Sequence, residues 1–126
     1  MKPESGRSHP DTRAAARDSD DAASLLPLAI SRPQAALATA LRIIDTSDEA
    51  ETLSYAHQAA AIVQRDAGRT EESVRYGFAA LRLARGVSRL RQADVRATLG
   101  VVLAYAGRTA EGLRQFDAAK ELTEPR

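Results

Sequence analysis

From Ser24 onward, apolar side chains recur at three- and four-residue intervals, the spacing that lines one face of an α-helix. Ser24 reads as the cap of a short helix with Pro27 in its first turn, where a missing N–H does little harm. Pro33 opens a second helix that runs to about Ile44 and should bury Leu37, Leu41 and Ile44. The turn Asp45-Thr46-Ser47-Asp48 ends it, and Asp48 with Glu51 three residues on has the form of a capping box. A third helix over about 49–67 carries Leu53, Ala56, Ala59, Ala60, Ile62 and Val63 toward a core and stops at Gly68. Thr70 caps a fourth over about 71–85, and Gly86 to Ser88 breaks the chain. A fifth helix runs from about Arg89 to Ala106 and stops at Gly107. Thr109 caps the sixth, which reaches about Thr123 before Pro125. No stretch alternates as a strand does. The pattern predicts an all-α chain of six helices in three antiparallel hairpins, over residues 22–126. Residues 1–21, with Pro3, Gly6, Pro10 and alternating Arg and Asp, bury too little to order themselves and are expected to form a disordered tail.

One segment occurs twice. Ala67-Gly68-Arg69-Thr70 returns as Ala106-Gly107-Arg108-Thr109, thirty-nine residues later. Glu72, Val74, Arg75, Ala79, Ala80 and Leu83 follow the first copy; Glu111, Leu113, Arg114, Ala118, Ala119 and Leu122 follow the second. Self-similarity at such a period marks stacked helical units that share one continuous core.

The last hairpin resembles the tetratricopeptide pattern. Leu99-Gly100 matches its Leu-Gly pair, Leu103 replaces the following aromatic, and Gly112, Phe116 and Ala119 fall at the small, aromatic and small positions. Pro125 lies one residue past the usual proline, and Arg96 stands where a bulky aromatic is expected. The preceding hairpin matches less closely, through His57, Ala60, Ala61 and Gln64, then Ser73, Gly77 and Ala80. The first shows mainly its second helix, through Ala36, Leu37, Ala40 and Leu41. The resemblance is to divergent tetratricopeptide arrays, similar to those that precede caspase-like CHAT protease domains or occur in large bacterial transcriptional regulators. It implies a short helical solenoid whose first helices line a concave protein-binding face. Apart from any family, Gly100 in mid-helix costs about 1 kcal/mol relative to Ala, so a neighbouring helix is expected to cross close above it. Phe116 and Phe78 are expected in the core.

Composition narrows the chemistry. The chain of 126 residues fits one domain, and its hydrophobic content of 44% includes only 4% aromatics, so the core is expected to be made of small side chains. There is no Cys, which removes disulfides and thiolate metal sites. The formal net charge of +1 gives no general pull toward nucleic acid or anionic membrane. Arginine far exceeds lysine, which together with the alanine excess suggests a GC-rich coding genome; a bacterial source is what the resemblance implies. No apolar run approaches a membrane span, and a cytoplasmic location is expected. His9 and His57 stand alone, no Ser sits in a nucleophile turn, and no phosphate-binding loop is present, so neither catalysis nor a metal or cofactor is expected.

The functional expectation is therefore a non-catalytic protein–protein interaction scaffold. The alternative is the regulatory front end of a multidomain enzyme or transcription factor. Candidate lining residues of the concave face are His57, Gln64, Arg96, Leu103 and Tyr105. A candidate basic edge is formed by Arg82, Arg85, Arg89 and Arg91 around the turn after the fourth helix. The partner is expected to be another protein or peptide. The apolar side of the sixth helix (Leu113, Phe116, Leu122) is expected to support self-association or docking, and the lack of stacking aromatics argues against nucleic acid.

Overall fold

The computed structural model describes residues 21–125; the tail expected over 1–21 lies outside the described residues, as does His9, except for Asp21, which is helical together with Ala22 and Ala23 rather than part of a disordered tail. Among the described residues, after the helical stretch 21–23, six α-helices follow one another: α1 (Leu25–Ser31), α2 (Pro33–Thr46), α3 (Ala50–Asp66), α4 (Thr70–Ala84), α5 (Arg89–Tyr105) and α6 (Thr109–Thr123). Among the described residues there is no strand. The fold is all-α, as the periodicity predicts.

Each helix packs on the next, and in addition α1 packs on α3 and α3 on α5. The first helices of consecutive hairpins thus touch one another as well as their own partners. This makes α3 the hub, buried at nearly every position from Ser54 to Gln64. One core cluster joins α1, α2 and α3 through Leu25, Ala29, Ala36, Ala40, Ala56, Ala59, Ala60, Ile62 and Val63. A second joins α4 and α5 through Ala80, Leu81, Ala84, Val95, Leu99 and Leu103. Alanine dominates the first cluster, and small side chains let helix backbones approach closely. Leu41, expected to be buried, is 42% exposed, while Ala36 and Ala40 carry the buried face of α2.

The two glycine stops are the same structure made twice. Gly68 and Gly107 both have φ +80°, a conformation that side-chain-bearing residues rarely adopt. After α3, the Gly68 N–H donates to the Arg65 carbonyl (3.1 Å) and the Arg69 N–H to the Gln64 carbonyl (2.8 Å). After α5, Gly107 donates to Ala104 (3.0 Å) and Arg108 to Leu103 (2.8 Å). Both are complete Schellman motifs, which satisfy carbonyls that a helix end otherwise leaves bare.

The helix starts differ from expectation. Thr70 and Thr109 are the first residues of α4 and α6, not their caps; Arg69 and Arg108 precede them without a side-chain cap bond. Each arginine carbonyl accepts the first backbone bond instead, from Ser73 and Gly112 (both 3.0 Å). Ser24 also makes no cap bond, because its hydroxyl donates back to the Asp21 carbonyl (2.6 Å). Glu49 rather than Asp48 precedes α3, and the Thr52 hydroxyl donates to the Glu49 carboxylate. Among the described residues, only α5 has a side-chain cap of this kind: Ser88 Oγ accepts from the Arg91 N–H (3.0 Å).

The crossing of α5 and α6 is as close as Gly100 predicts. A Cβ on Gly112 would lie 2.6 Å from the Gly100 carbonyl oxygen, and one on Gly100 would lie 2.7 Å from the Phe116 ring. Phe116 therefore sits over Gly100 at the edge, 38% exposed, rather than inside the core as expected. The same logic joins α4 to α5, where a Cβ on Gly77 would lie 2.8 Å from Leu99 Cδ1. On the outer side of α6, Leu113 is 57% exposed and Leu122 half-buried. The thirty-nine-residue shift sets Asp117, Lys120 and Thr123 where α4 has Phe78, Leu81 and Ala84 against α5, so this face is mixed rather than apolar.

Candidate functional site on the paired first helices

The seam between α3 and α5 is polar, and Arg91 is at its centre. Arg91 is 5% exposed, and its guanidinium lies over the Tyr55 ring, 3.6 Å from the centroid. Nε donates to Ser54 Oγ (3.2 Å), Nη2 to Gln58 Oε1 (2.7 Å) and Nη1 to Asp94 Oδ2 (3.0 Å). The Gln58 amide then donates to Asp94 Oδ2 (3.1 Å) and to Thr98 Oγ1 (2.8 Å). Further along the seam, Arg65 lies over the Tyr105 ring at 5.3 Å and pairs with Asp66 (2.9 Å). A buried cation fully held by neutral acceptors, one carboxylate and an aromatic face fixes geometry more than it adds stability. Here it sets the register of α3 against α5.

Arg91 is thus not part of a basic edge. The arginines crowd together in sequence, but about 100° of helix rotation per residue sends Arg91 to the opposite side of α5 from Arg89. Arg82, Arg85 and Arg89 are exposed.

Of the five expected lining residues, only Tyr105 is on the α3–α5 face, 65% exposed. His57 turns toward α4, its ring 6.0 Å from that of Tyr76, while Nδ1 lies 2.9 Å from the Leu53 carbonyl. Arg96 turns toward α6 and donates to Gln115. Leu103 is wholly buried in the cluster with α4, and Gln64 is buried with Oε1 unpaired. His57 and Gln64, like Arg96 and Leu103, are seven apart and so share one face. That face belongs to the hairpin interior.

The residues that make the seam are Tyr55, Gln58, Arg65, Asp94 and Thr98, none of them expected. A signal for them was available: Tyr55 and Asp94 are thirty-nine residues apart and hold equal places in the repeat. Beside the seam, α5 presents Leu90, Asp94, Ala97, Val101 and Ala104 at alternating intervals of four and three, with Tyr105 next to the last. Leu90 is 75% exposed, the Asp94 side chain 53%, and Ala97 and Ala104 are exposed. The result is an apolar stripe with one carboxylate, whose orientation Arg91 and Gln58 fix.

Among the described residues, no three His, Cys, Asp or Glu side chains converge as metal ligands, and no helix is long and apolar enough to cross a membrane. Comparison with known proteins finds no family model, no curated protein and no solved structure that matches this chain.

Proposed function

We propose that this chain is a non-catalytic interaction scaffold of the tetratricopeptide type, which engages another protein through the joint face of α3 and α5. One observation carries the reading: the first helices of consecutive hairpins lie side by side and leave an ordered apolar stripe, Leu90 to Tyr105, facing solvent. The matching Schellman turns at Gly68 and Gly107 support a repeated unit. A solenoid built this way offers a rigid surface that loses little entropy on binding.

The test is site-specific photocrosslinking in the native host. A benzophenone side chain at Ala97, on the stripe, should give a discrete protein adduct that disappears when Leu90→Asp is added. The same probe at Arg82, on α4, should not give that adduct. No adduct at Ala97, or the same adduct from both sites, would contradict the reading.

A further inference from the structure

The opposite side of α5 carries a feature of different construction. Between α5 and α6 runs a groove of about 250 Å³ lined by Arg89, Gln92, Arg96, Ala118, Glu121 and Leu122. At one end Arg89 Nη2 donates to the Leu122 carbonyl (3.1 Å). At the other, Arg96 Nη1 donates to Gln115 Oε1 (2.7 Å), while Nε and Nη2 share Gln92 Oε1 (3.3 and 3.2 Å). All these acceptors are neutral. Among the described residues no carboxylate lies within ion-pair distance of either guanidinium. Burial, and then the like charge of Arg85, pushes the Arg96 guanidinium below its ordinary pKa. Two cations are therefore positioned by neutral groups, with N–H donors left over on each.

We propose that this groove binds an acidic peptide segment, one carboxylate meeting Arg89 and another meeting Arg96. Seven residues of helix set the two arginines about 10 Å apart along α5. On a peptide in the polyproline II conformation, with three residues per turn, carboxylates three residues apart lie on one side and are separated by about 9 Å. Glu121, on the facing α6 wall, repels the unbroken charge of a nucleic-acid strand. No aromatic ring lines the groove to stack a base. This site is independent of the α3–α5 face, so either can fail alone.

The test uses the full chain, isotope-labelled, and follows the arginine Nε–Hε resonances by NMR at constant ionic strength. The probes are acetyl-Glu-Ala-Ala-Glu-amide, the same peptide with Gln for both Glu, and a short oligothymidylate. The acidic peptide should shift Arg89 and Arg96 saturably, and R89Q or R96Q should weaken its binding by about fivefold or more. R89Q replaces an exposed side chain and keeps the test valid should R96Q unfold. Equal binding of the Gln peptide, unchanged affinity in R89Q, or saturation by the oligonucleotide alone would overturn the proposal.

Discussion

At the scale of single residues, Arg91 shows how a charge becomes structural. It is held by Ser54, Gln58 and Asp94 and lies over the Tyr55 ring, so removal leaves a hole and orphans the Gln58 carbonyl. An unsatisfied buried group costs about 1–3 kcal/mol, and the lost packing adds to it. Arg91→Ala should therefore destabilise the chain by about 2–4 kcal/mol in urea denaturation. Arg85→Ser, on the exposed surface, should stay within about 0.5 kcal/mol. Equal effects of the two would mean that the arginines are equivalent surface charges. The sequence alone could not separate them, because clustering along the chain says nothing about which way each side chain turns. Once the thirty-nine-residue offset aligns the helices, Tyr55 and Asp94 fall into register and the seam becomes readable. The missing step was choosing the helix face. Pattern positions such as His57 and Leu103 mark the hairpin interior, not the open side.

At the scale of elements, glycine does two different jobs. Gly68 and Gly107 sit at φ +80° with nothing within 4 Å of where a Cβ would stand, so the penalty for a side chain is conformational only. Gly68→Ala and Gly107→Ala should each cost about 1–2 kcal/mol, and the same within a few tenths. Gly112→Ala meets the Gly100 carbonyl, a backbone atom, and must push α6 away from α5. It should cost more than either, about 3 kcal/mol or above. Thermal or urea unfolding of the three variants checks the order, and a Gly112→Ala as mild as the others would refute the close crossing. Element boundaries were legible to within a residue or two, since a periodic apolar face and a terminal glycine are strong signals. The caps were less so: at α4 and α6 the backbone of Arg69 and Arg108 does what Thr70 and Thr109 were expected to do. Threonine one position later begins the helix just as readily.

At the scale of the whole molecule, packing between helices that are not neighbours in the chain, α1 on α3 and α3 on α5, joins the hairpins. Hairpins alone would bury α4 on α3 and α6 on α5. The additional packing of α3 on α5 lines up Tyr55, Gln58 and Arg65 against Arg91, Asp94, Thr98 and Tyr105. That side-by-side arrangement underlies the proposed function, and a nuclear Overhauser spectrum of the labelled chain tests it most directly. The account predicts cross-peaks from the Tyr55 ring to the Arg91 side chain and from the Tyr105 ring to Arg65, alongside those from Gly100 to Phe116 within the last hairpin. A spectrum with the Gly100–Phe116 peaks but neither of the other two would show folded hairpins that do not stack as described, and would contradict it.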